Sequence, residues 1–174
     1  MCSTTIILLV EDDPQDTLLA DFALQKILPG VALSVVSDGI QAVKYLSGEL
    51  PYADREKYPF PDVVLLDLQL PLMDGFDVLR WIRRQPDLKL LPVIAMTGSM
   101  RKEDTILAFK AGANHCVLKS QGFRLLAEKV VEVAGEIQSV NHFEQRPSPQ
   151  STLIDKPLNS ESSRTATFSE AQDH

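Results

Sequence analysis

Five short apolar runs recur along this chain, and a stretch with helical punctuation follows each one. The runs are Ile6–Val10, residues 32–37, Val63–Asp67, residues 92–97 and His115–Leu118. Ile6-Ile7-Leu8-Leu9-Val10 is continuous rather than alternating, as expected of a strand covered on both faces. Asp13-Pro14 opens the first helix, with an aspartate suited to the N-cap and a proline suited to the first helical position. Asp16 adds negative charge in its first turn, where it meets the positive end of the helix dipole. Pro29-Gly30 ends that helix. Asp38 caps a second helix to about Ser47. Asp74-Gly75 begins a third to about Arg84, Lys102–Ala111 forms a fourth, and Gly112 fits its left-handed stop. The last helix carries Leu126, Val130, Val133 and Ile137 at one-face spacing. Five consecutive βα units predict an α/β fold, a five-stranded parallel sheet with helices on both faces.

The strand ends carry the chemistry. Glu11-Asp12-Asp13 follows the first strand, Asp67 ends the third, Thr97 the fourth, and Lys119 follows the fifth. In open parallel sheets the site lies beyond the carboxyl ends of the strands, so these groups converge on one edge. Phosphoryl transfer is mainly positioning and charge neutralisation, and this set suits metal-assisted transfer to a carboxylate. Asp12 and Asp67 placed together would repel, which calls for a divalent cation. Hard oxygen ligands favour Mg²⁺. Asp12 and Asp67 are the expected direct ligands, with Glu11 acting through water. Thr97 offers a hydroxyl, and Lys119 a cation, to phosphoryl oxygens. Taken singly each residue has an ordinary role: loop cap for Asp67, strand residue for Thr97, solvated amine for Lys119. For Asp13 helix capping is the better reading. Together, in this order, they mark a site.

Composition narrows the partners. A formal charge of −7 and a pI near 4.9 argue against nucleic acid. No run is apolar enough to span a membrane and no secretory leader is visible. Cys2 and Cys116 lack metal-ligand spacing, and a reducing cytoplasm is the expected compartment. Residues 1–138 form the expected domain. Residues 139–174, rich in Ser and Thr with Pro147, Pro149 and Pro157, form an expected disordered tail. Residues 48–61 form an unusually long link, read either as a tolerated surface insertion or as a binding element.

With these residues in view, the chain resembles the receiver domains of two-component response regulators, which share a flavodoxin-like (βα)5 fold. The resemblance spans roughly residues 4–137 and rests on four motifs and a lysine. They are Leu9-Val10-Glu11-Asp12-Asp13-Pro14, Val64-Leu65-Leu66-Asp67-Leu68-Gln69-Leu70-Pro71-Leu72-Met73-Asp74-Gly75, Pro92-Val93-Ile94-Ala95-Met96-Thr97-Gly98, Ala111-Gly112-Ala113-Asn114, and Lys119. It implies that Asp67 accepts a phosphoryl group from the phosphohistidine of a sensor histidine kinase. It implies that Glu11 and Asp12 bind Mg²⁺ with Asp67 and the backbone carbonyl of Gln69. Thr97 and Lys119 then contact the phosphoryl group and couple it to conformational change, and Gly98 leaves room beside Thr97. The long link, residues 83–92 and Lys119-Ser120 look like the single-domain regulators that partner bacterial phytochromes, which implies a light-sensing kinase as donor. Output would pass to a downstream protein or a phosphotransfer protein, or through a homodimer built on the fourth helix, fifth strand and last helix.

Two positions depart from the family pattern. Ser120 follows Lys119 where many receivers have proline, so a cis bond there is less expected. Cys116 stands where many have Tyr or Phe, which argues against an aromatic-rotation switch. Two other readings remain. One is a phosphohydrolase with an aspartyl nucleophile, which Gln69 disfavours because an amide cannot shuttle a proton. The other is a phosphorylation-independent scaffold, which the intact residue set disfavours. A Rossmann-type nucleotide site lacks its glycine-rich turn.

Overall fold

A computed structural model of the protein describes residues 4–99 and 101–144. Strands β1 (Ile6–Val10), β2 (Ala32–Val36), β3 (Val63–Asp67), β4 (Val93–Thr97) and β5 (His115–Leu118) alternate with five helices. These are α1 (Pro14–Ile27), α2 (Gly39–Ser47), α3 (Gly75–Arg84), α4 (Lys102–Ala111) and α5 (Phe123–Glu144). All four strand pairings are parallel, in the order β2-β1-β3-β4-β5. Every residue of β3 and β4 is buried, which is why their sequences are unbroken apolar runs.

Alternating side chains divide the core between the two faces. Leu8, Val10, Val64 and Leu66 pack with Ala42, Leu46, Val78 and Ile82 of α2 and α3. Ile7, Leu9, Val63 and Leu65 pack with Ala20 and Leu24 of α1 and with Leu126, Val130 and Val133 of α5. The expected caps form: Asp13, Asp38 and Asp74 accept hydrogen bonds from the backbone N–H of Gln15, Gln41 and Asp77. Gly112 ends α4 in the left-handed region at φ 108°. Strand β2 stops at Val36, one residue before the expected end. Helix α5 continues to Glu144, past the boundary at 138, because no proline or glycine interrupts residues 136–144 and the first proline beyond is Pro147. Cys2 and the rest of the expected tail lie outside the described residues.

The long link is pinned to α2. Tyr45, Tyr52 and Tyr58 form a ring cluster with centroids 5.1–6.1 Å apart. Arg55 donates to the carbonyls of Tyr45 at 2.9 Å and Leu46 at 3.0 Å, capping the end of α2. The buried Tyr45 hydroxyl lies 2.9 Å from both Pro59 O and Ser34 Oγ. A carbonyl can only accept, so the tyrosine donates to Pro59 and accepts from Ser34. Among the described residues the cis peptide is Leu50–Pro51, so Lys119–Ser120 is trans.

The β3–α3 connection is held at both ends. At Gly75 a Cβ would run into the carbonyl oxygen of Asp67 and lie 2.6 Å from Leu68 Cα. Only glycine lets α3 start so close to the end of β3. Within the loop, Leu72 has φ 66° and its neighbours close a three-residue turn, Met73 N donating to Pro71 O at 2.8 Å. Such a turn is strained for a side-chain-bearing residue. The Leu72 side chain is 81% exposed and contributes little packing. Leu72→Gly should therefore raise stability, by about 0.5–1 kcal/mol after the entropy lost to a freer unfolded chain. Urea denaturation of the two proteins checks this, and a lower midpoint for the variant would contradict the strain argument.

Candidate functional site

The sheet brings the chemically active strand ends together. β1 pairs with β3 and β3 with β4, so the ends of the first, third and fourth strands lie side by side. Lys119 follows β5, whose Leu118 is paired with Thr97.

Asp67 and Glu11 are buried, Lys119 is half-buried, and Asp12 is exposed. The Lys119 ammonium lies 2.6 Å from Asp67 Oδ2, 2.8 Å from Glu11 Oε2 and 2.8 Å from Asp16 Oδ2. The other Asp67 oxygen, Oδ1, accepts from Gln69 N–H at 2.8 Å. Thr97 is buried at the end of β4, and its Oγ1 accepts from Ser99 N–H at 3.0 Å. Gly98 faces Gln69, whose Oε1 would lie 3.5 Å from a Cβ there, an ordinary contact distance.

The carboxylates do not balance the one ammonium. Burial raises the Glu11 pKa above 4.5, and the neighbouring Asp67 charge adds to this, so the opposing pull of Lys119 does not cancel the rise. At Lys119 burial alone would lower the pKa. The hydrogen bonds to Asp16 and Asp67, with the Glu11 carboxylate beside them, outweigh burial and hold it well above the ordinary lysine value of 10.5. The lysine therefore stays charged at neutral pH. Glu11 Oε2 is buried and, although within ion-pair distance of Lys119, has no hydrogen-bond partner among the described residues. One carboxylate oxygen from each of Glu11, Asp12 and Asp67 lies within 4.8 Å of the others. A hard divalent cation fits this all-oxygen set and would satisfy the orphaned Glu11 oxygen.

A raised carboxylate pKa is a stability statement with a definite sign. Native Glu11 binds its proton more tightly than unfolded Glu11, so its contribution to stability falls as pH rises above about 4.5. Melts of metal-free protein should show this decline between mildly acidic and neutral pH. Glu11→Gln should flatten the profile, and an unchanged profile in that variant would refute the assignment.

The sequence-predicted residues separate into groups. Glu11, Asp67 and Lys119 are in direct contact, and Asp12 joins them through the oxygen cluster. Thr97 stands at the adjacent strand end. Gln69 contributes a backbone N–H to Asp67. Asp13 is a helix cap, as expected. Asp16 was expected only as a helix-dipole charge, and its contact with Lys119 is new. That contact joins residues 103 positions apart and leaves no local sequence signal. Cys116 is half-buried, packs against the α2–α3 side of the core and has its thiol pKa raised by burial. It is a packing thiol, protonated at neutral pH.

A parallel sheet with an acidic cluster and a lysine at its carboxyl edge is the architecture of a signalling receiver, and the chain belongs to the response regulator receiver domain family, matching it over residues 7–131. Among its relatives, the response regulator Rcp1 of Synechocystis sp. is 35% identical over 125 residues, covering 72% of this chain and 83% of Rcp1. The crystal structure of the phosphorylated cyanobacterial phytochrome response regulator RcpA aligns with a TM-score of 0.66 at 33% identity. That alignment covers 72% of this chain and 91% of RcpA. The Mn²⁺-bound form of Rcp1 aligns with a TM-score of 0.61 at 29% identity, covering 88% of this chain and 99% of Rcp1. No helix among the described residues is long and apolar enough to cross a membrane.

Proposed function

We propose that this receiver takes a phosphoryl group onto Asp67 from the phosphohistidine of a sensor histidine kinase. The observation that carries the reading is the setting of Asp67. It is buried at the end of β3, with one oxygen against Lys119 and the other on Gln69 N–H, inside the Glu11–Asp12–Asp67 cluster. An Asp67 oxygen attacks phosphorus, the nitrogen–phosphorus bond of phosphohistidine breaks, and the histidine leaves with the electron pair. Bound Mg²⁺ would neutralise charge on the transferring group, held by Asp12, Asp67 and the Gln69 carbonyl, with Glu11 acting through water. Lys119 offers a fixed positive charge to the phosphoryl oxygens. Thr97 offers its hydroxyl, and Gly98 leaves the space beside it open.

The likeness to RcpA, named as a phytochrome response regulator, supports a phytochrome-type kinase as donor. The Mn²⁺-bound state of Rcp1 supports a divalent cation. Output passes to a downstream protein or phosphotransfer partner, or to a second copy across α4, β5 and α5. Exposed Ile106, Phe109 and Val131 support that face. An acidic chain is poorly suited to nucleic acid.

Incubation with acetyl phosphate, with Mg²⁺ or with chelator, tests the reading by intact mass and released phosphate. The expected result is at most one added phosphoryl group per chain, only with the cation, followed by slow decay. Rapid multiple turnover would instead indicate a phosphohydrolase. No uptake under either condition would indicate a binding scaffold.

A further inference from the structure

Lys119 has three carboxylate neighbours, and they are not equivalent. Glu11 and Asp67 belong to the oxygen cluster that fits a divalent cation, whereas Asp16 does not. A cation at that cluster draws on two of the carboxylates that hold the ammonium and also repels the ammonium itself. Lysine is a hydrated point charge on a flexible stem, so a half-buried lysine stripped of its anionic partners turns toward water. Asp16 is the partner that remains. It sits in the first turn of α1, and the helix does not need it as a cap, because Asp13 already accepts from Gln15 N–H at 2.7 Å. Its Oδ2 is instead 2.8 Å from Lys119 Nζ.

We infer that Asp16 is a positioning residue, which tethers the Lys119 ammonium beside Asp67 when Glu11 and Asp67 are engaged by the cation. The inference rests on the cation and phosphoacceptor reading above, and gives Asp16 no contact with the phosphoryl group. Asp16 also neutralises Lys119, which lessens the repulsion met by an entering cation. In the metal-free protein Lys119 keeps Asp67 and Glu11, so Asp16 is dispensable there. The role is therefore conditional on the cation, which distinguishes it from a structural salt bridge.

The test compares full-length wild type, Asp16→Asn and Asp16→Glu. Metal-free melting curves should coincide for wild type and Asp16→Asn. Calorimetric titration with Mg²⁺ alone should show affinity weakened about threefold in Asp16→Asn, an effect sized for one partly exposed charge. Labelling by acetyl phosphate at saturating Mg²⁺ should slow about tenfold at saturating donor, the loss of one charge-assisted hydrogen bond, with the half-saturating donor concentration little changed. Asp16→Glu should restore most of the rate. In a Lys119→Gln background Asp16→Asn should slow labelling no further, because both act through one ammonium. Unchanged Mg²⁺ affinity and labelling in Asp16→Asn would overturn the inference. So would a large loss of metal-free stability, or an undiminished effect without Lys119. If wild type itself binds no Mg²⁺ and takes no label, the phosphoacceptor reading fails first, and the wild-type arm alone reveals it.

Discussion

Asp67→Asn takes up no phosphoryl group from acetyl phosphate in the presence of Mg²⁺, a loss of roughly a thousandfold or more, because an amide oxygen is a poor nucleophile toward phosphorus. The fold should survive. Lys119 keeps its contacts with Asp16 and Glu11 in this variant, and a buried carboxylate beside Glu11 is removed. Loss of labelling with an unchanged circular dichroism spectrum therefore reports chemistry rather than unfolding. Asp13→Asn serves as the comparison. Its side chain caps α1, asparagine caps equally well, and labelling should proceed at the wild-type rate. Equal labelling of Asp67→Asn and wild type would remove the basis for the assigned site.

The second large effect falls on stability, at a residue with no role in the chemistry. Arg83, in the last turn of α3, donates to Gly112 O at 2.9 Å, Leu91 O at 2.9 Å and Asn114 Oδ1 at 2.9 Å. The same Asn114 oxygen accepts from Val93 N–H at 2.9 Å, at the start of β4. One guanidinium thus joins α3, the turn before β4 and the α4–β5 turn. Burial lowers its pKa, and these acceptors compensate the buried charge. Arg83→Ala leaves partly buried carbonyls without donors and should cost about 3 kcal/mol. Arg83→Lys should recover little, because an ammonium cannot span the fork of acceptors. Chemical denaturation measures both. A cost below about 1 kcal/mol for the alanine variant would mean that water replaces the guanidinium at these carbonyls.

The parts of the fold that were legible in sequence are those with local causes. The central strands β3 and β4 are short apolar runs because both of their faces are covered, and Asp13, Asp38 and Asp74 announce helix starts through their own backbone bonds. The carboxyl-edge position of Glu11, Asp67, Thr97 and Lys119 follows from parallel strands alone. Strand order was open, because no local pattern tells β1 to lie between β2 and β3. The contacts missed are long-range. Asp16 looks like an ordinary first-turn acid until β5 brings Lys119 alongside. Arg83 looks like a cation at a helix end until the turn at Gly112 closes over it. Residues 48–61 read either as a surface insertion or as a binding element, and their packing against α2 was not legible because it depends on Tyr45 meeting Tyr52, Tyr58 and Arg55 across the loop.

The central claim is that one carboxylate, Asp67, carries the phosphoryl group. The most direct measurement is reductive trapping. Borohydride reduces an aspartyl phosphate to homoserine, which survives proteolysis and is located by peptide mass spectrometry. Wild type treated with acetyl phosphate and Mg²⁺ and then reduced should carry homoserine at position 67 and at no other aspartate, and the signal should vanish with chelator. Homoserine at Asp12 or Asp13, or its absence from a protein that has gained phosphoryl mass, would contradict the account.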